Sequence, residues 1–136
     1  MVYTDLVNAS RVFGQIITRT EKVVKMRQKI KKRVLKKVEY VQILTDKDWL
    51  RVYFATYRGK LKKFIVQYLS LINNRKRSIM RVDTCHGYPH KHTYYLKGKQ
   101  AVIVLGKSED LALVFRVSKQ DIIKRFKDIK NNFLMN

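Results

Sequence analysis

The sequence is short of cysteine, of acidic residues and of long apolar stretches. Its single cysteine, Cys85, has no partner for an intrachain disulfide, which is typical of proteins from a reducing compartment. The longer apolar runs, such as AVIVL at 101–105 and LALVF at 111–115, are far too short to span a bilayer. The first residues lack the basic and apolar regions of a signal peptide. We therefore expect a soluble, cytoplasmic protein that has no membrane partner.

Several common motifs are also missing. The chain has no P-loop and no G-x-G-x-x-G, the glycine-rich patterns that hold phosphates in nucleotide and dinucleotide sites. It lacks zinc-finger spacing and the RNP1 pattern of a common RNA-binding fold. No motif therefore supports nucleotide hydrolysis, dinucleotide chemistry or these two familiar modes of nucleic-acid recognition.

What the sequence has in excess is positive charge. Lysine and arginine number 31 against 10 acidic residues, which gives a formal net charge of +21 over 136 residues. Such a charge exceeds what solubility needs and destabilises a compact chain by self-repulsion, so a polyanionic partner is its natural explanation. RNA, DNA and an anionic membrane surface all fit, and so does a lysine-rich composition without a functional cause. We expect RNA as the partner, with DNA as the alternative.

A long basic helix is predicted near the amino terminus, over 11–37, with Ser10 as its cap. Every charged residue between Lys22 and Lys37 is basic, so no ion pair within that stretch relieves the repulsion. The segment is either a solvated helix face or a surface that follows a phosphate backbone. On the second interpretation, the candidate nucleic-acid-binding residues of this segment are Lys22, Lys25, Lys29, Lys31, Lys32, Arg33, Lys36 and Lys37.

From residue 38 to 117 the sequence changes to short segments rich in β-branched and aromatic residues. Turn signals such as TDKD, RGK and NNRK separate them, at lengths typical of hairpins. We therefore expect an antiparallel meander of about five to seven strands over 38–117. Within it, Phe64, Val66 and Tyr68 should share one face of a strand.

A second helix is predicted over 118–134, because apolar residues recur there at helical spacing. Ser118 and Asp121 would form a capping box at its start. No repeat or flexible linker interrupts the chain. The expected fold is a single α+β domain over 1–136, in which the meander is flanked by a basic N-terminal helix and an amphipathic C-terminal helix.

All three histidines lie within the segment RVDTCHGYPHKH. If one strand ends near Asp83 and the next begins at His90, then His90 and His92 share one strand face. His86 would sit across the Gly-Tyr-Pro turn from them, and Arg81 would share a face with Asp83. The pattern therefore gathers three imidazoles, a carboxylate and a guanidinium near one hairpin.

Metal binding is one interpretation of this cluster. Three imidazoles with an open position are a known arrangement for catalytic zinc, and imidazole also suits other divalent metals. The ligands would be His86, His90 and His92. The spacing H-x-x-x-H-x-H is less specific than an established zinc motif.

Metal-free RNA cleavage is a second interpretation. One histidine would take a proton from the 2′-hydroxyl, and another would give a proton to the leaving oxygen, as imidazoles do near neutral pH. Asp83 would orient an imidazole, and Arg81 and Lys91 would contact the phosphate. A third interpretation is structural: Asp83 accepts hydrogen bonds from turn amides, and the histidines are surface residues.

Aromatic residues are scattered among the basic ones, and exposed aromatics beside Lys or Arg can stack on unpaired bases. In strands, however, most aromatic residues build the core. Tyr88 is the best stacking candidate, because it lies in the turn between two histidines.

The stretch 64–99 resembles a small, uncharacterised prokaryotic family. Its members share an F-x-V-Q strand, then R-x-D-x-x-H-G-x-x-H-x-H, then a short hairpin; here the first motif starts at Phe64 and the second runs from Arg81 to His92. Similar proteins are described as toxin-like ribonucleases that pair with an antitoxin. The resemblance therefore implies RNA cleavage and an acidic protein partner such as an antitoxin. The long basic helix over 11–37 is not part of the family's pattern.

Two functions follow from the sequence. The first is an RNA-directed protein whose histidine site cleaves phosphodiester bonds. The alternative is a nucleic-acid-binding or ribonucleoprotein component without catalysis, in which the histidine hairpin only shapes the fold.

Overall fold

The computed structural model describes residues 34–85, 87–106 and 110–136. Within these ranges the chain forms a sheet of six antiparallel strands and one helix, and each strand is hydrogen-bonded to the next along the chain. The elements are β1 (Lys36–Thr45), β2 (Asp48–Tyr57), β3 (Lys60–Ile72), β4 (Arg75–Asp83), β5 (His90–Tyr94), β6 (Gln100–Val104) and α1 (Leu111–Met135). The predicted α+β class and the antiparallel meander are confirmed.

The predicted N-terminal helix lies mostly outside the described residues. The same holds for His86 and for the basic residues Lys22, Lys25, Lys29, Lys31, Lys32 and Arg33. The last four residues of the predicted helix are described, and there the prediction is wrong: Val34 and Leu35 lie in no helix or strand, and Lys36 and Lys37 begin strand β1. From Val38 onward, half-buried residues alternate with exposed ones, which is the period of a strand and not of a helix.

The chain divides into two compact units. The described part of the first consists of 34–40 and Tyr53–Lys62, which contains the turn between β2 and β3. The second consists of Val41–Val52 and the described residues of Lys63–Asn136, with β4, β5, β6 and α1. The histidine hairpin therefore belongs to the second unit.

The short hairpin turns contain pairs of residues in the left-handed region of the backbone. In the first unit, Arg58 and Gly59 have φ values of 50° and 78°. In the second, Asn73 and Asn74 have φ values of 53° and 65° between β3 and β4. Two successive positive φ values are typical of the tight turns that match the twist of paired strands, so the turn signals RGK and NNRK are confirmed.

The core of the second unit lies between the sheet and α1. Phe64, Val66 and Tyr68 are each at most 1% exposed and share one face of β3, as predicted. The Phe64 ring packs 5.2 Å from the Phe115 ring, and the Tyr68 ring meets the Phe126 ring edge-on at 6.0 Å. The buried side chains of the helix itself are Ile122, Ile129 and Phe133.

The C-terminal helix begins earlier than predicted. It starts at Leu111, and its N-cap is Asp110, whose Oδ1 accepts a hydrogen bond of 3.1 Å from the Leu113 amide. The capping box at Ser118 is therefore wrong, because Ser118 lies inside the helix. The predicted sheet over 38–117 is too long for the same reason. The segment 111–117 is apolar except for Arg116, and such a run does not distinguish a strand from a helix that packs on a core.

Candidate functional site

The strand register gives each candidate residue a face of the sheet. Arg81 pairs with His92, and Asp83 pairs with His90, across the β4–β5 ladder. Because paired residues in a sheet project to the same side, these four side chains lie together on what we call the histidine face. Gln67 of β3 pairs with Arg81 and joins the same face. The prediction that the two strands bring these groups together is confirmed for the described residues.

Asp83 is the buried centre of this group, with 3% of its surface exposed. Its Oδ1 accepts a hydrogen bond of 3.1 Å from the Cys85 amide, as the structural interpretation predicted. Its Oδ2 lies 2.6 Å from Nε of Arg81 and 3.6 Å from Nε2 of His92. The contact with Arg81 is a close ion pair, whereas the distance to His92 is longer than a hydrogen bond. Asp83 therefore fixes Arg81 and faces His92.

Access to solvent differs within the group. The side chains of Arg81 and His92 are 34% and 18% exposed, whereas His90 is only 7% exposed. On the other side of the His92 ring, Nδ1 lies 3.5 Å from Oε1 of Gln100. A molecule that approaches this face therefore reaches Arg81 and His92 before it reaches His90.

A row of rings runs along β5 on the histidine face. The rings of Tyr88 and His90 have centroids 4.6 Å apart, and those of His90 and His92 are 6.2 Å apart. The rings of His92 and Tyr94 are also 6.2 Å apart and nearly parallel, with an interplanar angle of 12°. We call Tyr88, His90, His92 and Tyr94 the ring row. Tyr88 stands at its most exposed end, with 36% of its surface accessible.

The sequence prediction missed a polar row that crosses the strands on the same face. Nη1 of Arg51 donates to Oε1 of Gln67 over 3.3 Å, and Nε2 of Gln67 donates to Oγ of Ser78 over 3.0 Å. These two bonds fix the orientation of the Gln67 amide beside Arg81. The signal was present, because Gln67 interrupts an apolar strand and belongs to the F-x-V-Q motif.

Lys91 does not lie with the histidines. It pairs with Val82, on the face that packs against α1, and lines a groove together with Ser118 and Asp121. A hydrogen bond from Arg125 lowers the pKa of Asp121, against the effect of burial, and the charge of Lys91 lowers it further. Lys91 is therefore in position to balance an acidic group of the helix.

A buried carboxylate on the helix side was also missed. Asp48 is 5% exposed and contacts three hydroxyl groups and one ammonium group, which belong to Thr45, Tyr68, Ser70 and Lys130. Burial by itself would raise the pKa of Asp48, but these contacts hold it below its ordinary value. The one sequence signal for this cluster is Ser70, a polar residue within an apolar strand, which indicates a buried polar partner. The cluster ties the β1–β2 turn to β3 and α1.

A metal site needs several donor side chains that converge on one point. In the described part of the chain, no three His, Cys, Asp or Glu side chains are grouped so as to hold a metal ion. His86, the third ligand of the predicted zinc site, lies outside the described residues.

Among the residues that the structure describes, no helix has the length and apolarity needed to cross a membrane.

These features define an α+β protein built on a six-stranded antiparallel meander, with a buried carboxylate, an arginine and two histidines on one hairpin. Residues 26–136 match the model of the family "Domain of unknown function (DUF7718)", and the chain belongs to that family. It matches no curated protein and no solved structure. The predicted likeness to toxin-type ribonucleases stays a prediction.

Proposed function

We propose that the protein binds single-stranded RNA on the histidine face. The observation that carries this proposal is the ring row of β5, which stands beside the anchored guanidinium of Arg81. Rings at alternate strand positions are suited to stack on successive unpaired bases, and an adjacent cation is suited to neutralise the phosphate between them. Tyr88, at the exposed end, is the first ring that a base would meet.

The charge of the chain supports the same partner. A formal net charge of +21 destabilises an isolated protein, and binding to a phosphate polymer relieves that cost while the polymer's condensed counterions are released. Lys36 and Lys37, exposed at the start of β1, extend the basic segment that begins at Lys22. Together these residues supply affinity that does not depend on base sequence, whereas the ring row supplies the preference for unpaired bases.

Phosphodiester cleavage is the second candidate function, and the position of Asp83 favours it. The carboxylate lies 3.6 Å from Nε2 of His92 and holds Arg81 at 2.6 Å, which places an imidazole and a guanidinium side by side. In this scheme His92 takes the proton of the 2′-hydroxyl, and that oxygen attacks the phosphorus. The 5′-oxygen leaves with a proton from a second acid, for which His86 and His90 are the candidates, and Arg81 stabilises the phosphate charge.

One experiment tests both functions. The full chain, freed of bound nucleic acid at high salt, is titrated against end-labelled single-stranded RNA, single-stranded DNA and duplex RNA, and the same mixtures are run on denaturing gels with and without EDTA. We expect single-stranded RNA to bind most tightly and its affinity to fall steeply with salt. Equal binding of single-stranded DNA would mean that the protein recognises single-stranded nucleic acid in general. Failure to retain RNA in dilute buffer would exclude the proposal.

The gels decide about catalysis. Cleavage that resists EDTA and disappears in a His90→Ala, His92→Ala double variant identifies metal-free chemistry. Cleavage that EDTA abolishes identifies a reaction that depends on a divalent metal such as zinc, for which His86, His90 and His92 are the candidate ligands. Intact RNA in every lane, with binding unchanged, identifies a binding protein whose histidine hairpin is structural.

A further inference from the structure

Strand β6 forms the end of the sheet and carries an unusual amount of exposed apolar surface. Val102, Ile103 and Val104 are 50%, 52% and 53% exposed, although they follow one another along a strand. Consecutive residues point to opposite faces, so β6 is uncovered on both sides by the described residues. A strand with apolar side chains on both faces normally lies inside a sheet.

No strand among the described residues pairs with the outer side of β6. The Leu105 amide donates to the Pro89 carbonyl over 2.9 Å, so these two residues form a hydrogen-bonded pair of the β5–β6 ladder. Such pairs recur at every second residue of an antiparallel ladder, which assigns the polar backbone groups of Ile103 to β5. The backbone N–H and C=O groups of Val102 and Val104 therefore point away from β5. The strand order places no described strand there to receive them.

The edge also lacks the usual protection. Natural edge strands carry charged residues, proline or a bulge that prevents pairing with another chain. Gln100–Val104 contains no charge and no proline, and its pairing with β5 runs without a shift in register. Strand β1, at the opposite end of the strand order, contains Lys36, Lys37 and Glu39. Of the two edges formed by the described strands, only β6 is free of charged residues along its whole length.

A mainly apolar groove of about 400 Å³ lies between α1 and the strands β4 and β5, and it extends to Leu105, the residue that follows β6. Leu105, Leu113 and Val117 line it, and the last two are 44% and 53% exposed. The first seven residues of α1 are apolar except for Arg116, which is typical of a helix that is covered on most of its surface. A strand added to β6 would have a place for its apolar side chains in this groove.

The charge distribution selects the occupant. A second copy is disfavoured, because two chains that each carry a net charge of +21 repel each other. A nucleic acid is disfavoured as well, because Val102, Ile103 and Val104 offer no positive charge to its phosphates. Lys97 and Lys99 are exposed in the turn that leads into β6. We propose that β6 is the docking edge for an acidic segment of another protein, which adds a strand to the sheet and inserts apolar side chains into the groove. Such strand addition takes its affinity from backbone bonds and its specificity from pockets for alternate side chains.

Selection from a phage-displayed library of random peptides tests this proposal on the full chain, freed of nucleic acid. We expect enrichment of peptides in which β-branched residues alternate and Asp or Glu flanks them. Ile103→Lys should weaken their binding by about ten-fold or more, even though it adds a positive charge. Val41→Lys adds the same charge on β1 and should leave binding unchanged. A second variant, Val102→Pro, removes an outward amide without removing a β5–β6 bond and should also lose binding.

Several results would overturn the proposal. Binding that is unchanged or stronger in Ile103→Lys would mean that charge alone attracts the peptides. Enriched peptides without acidic residues, or no enrichment, would exclude an acidic strand. A dimer of the wild-type chain in light scattering that Ile103→Lys abolishes would mean that a second copy occupies the edge. RNA binding, measured in parallel, is expected to survive in Ile103→Lys, so the two proposals fail independently.

Discussion

The hydroxyl of Tyr68 donates a hydrogen bond of 2.6 Å to Oδ1 of Asp48, and both side chains are buried. The same carboxylate oxygen accepts from Ser70 over 2.7 Å and lies 3.5 Å from Nζ of Lys130. Burial raises the pKa of Tyr68, and the neighbouring carboxylate of Asp48 raises it further. The phenol therefore stays protonated and donates the hydrogen bond. One buried charge thus joins the β1–β2 turn, the middle of β3 and the helix.

This cluster makes stability depend on pH in the acid range. The pKa of Asp48 is lower in the folded chain than in the unfolded one, so the unfolded state binds more protons as the pH falls. The stabilisation is complete above about pH 4 and is lost as the pH falls through the folded pKa. Asp48→Asn should cost about 1–3 kcal/mol at neutral pH and flatten the decline in acid. Urea unfolding between about pH 3 and 7 measures both.

The matched control is Asp46→Asn, since Asp46 is exposed in the same turn. It should leave the free energy of unfolding close to that of the wild type. Parallel pH curves for the wild type and Asp48→Asn would show that the cluster does not couple the carboxylate to folding.

The ring row predicts which aromatic residues matter for RNA. Tyr88→Ala and Tyr94→Ala should each weaken binding of single-stranded RNA by about 1–3 kcal/mol, the usual cost of losing one stacked base. Tyr88→Phe and Tyr94→Phe keep the ring and should bind within about two-fold of the wild type. Fluorescence anisotropy with labelled RNA gives both values. Equal losses for the Ala and Phe variants would assign the effect to the hydroxyl groups and not to stacking.

The two faces of the β4–β5 hairpin predict opposite behaviour for two basic residues. Arg81→Gln removes a cation from the histidine face, so RNA affinity should fall and the salt dependence should lose about 0.7 in slope. Lys91→Gln removes the same charge on the helix side and should change neither quantity appreciably. Because Arg81→Gln leaves the buried Asp83 without its ion pair, its urea midpoint must be measured alongside. Equal effects of the two variants would argue against the histidine face as the binding surface.

The start of α1 predicts a difference between two capping candidates. Asp110→Ala should cost about 1 kcal/mol, because Asp110 accepts from the Leu113 amide at the helix start. Ser118→Ala should be neutral or slightly stabilising, because Ser118 lies inside the helix, where alanine is favoured. Thermal unfolding by circular dichroism measures both variants. A larger loss for Ser118→Ala would restore the shorter helix that the sequence predicts.

Local signals were sufficient for most of the sheet. Asn73 and Asn74 accept positive φ values without large strain, so the turn between β3 and β4 is encoded in two residues. Phe64, Val66 and Tyr68 recur at every second position of β3, so the sequence places them on one face, and that face is buried. These features depend on contacts within a few residues, which is why the sequence predicted them.

Where the local sequence pattern fits both a helix and a strand, tertiary packing determines which of the two forms. The segment 111–117 is apolar except for Arg116 and suits a strand or a buried helix equally well. It is a helix in a fold that packs Phe115 against Phe64, far away in the sequence. The basic residues Lys36 and Lys37 likewise continue a helical charge pattern but begin a strand.

Strand periodicity alone was enough to place His90 and His92 on one face of β5, because strand side chains alternate with a fixed period. For the same reason it placed Arg81 and Asp83 on one face of β4. The same period places Lys91 on the opposite face, a consequence that the sequence prediction did not apply. Three-dimensional packing was needed to bury Asp83, to leave His92 more accessible than His90, and to bring Asp48 to Lys130 from 82 residues away. Those contacts depend on strand register and helix docking, which bring together residues that no local pattern relates.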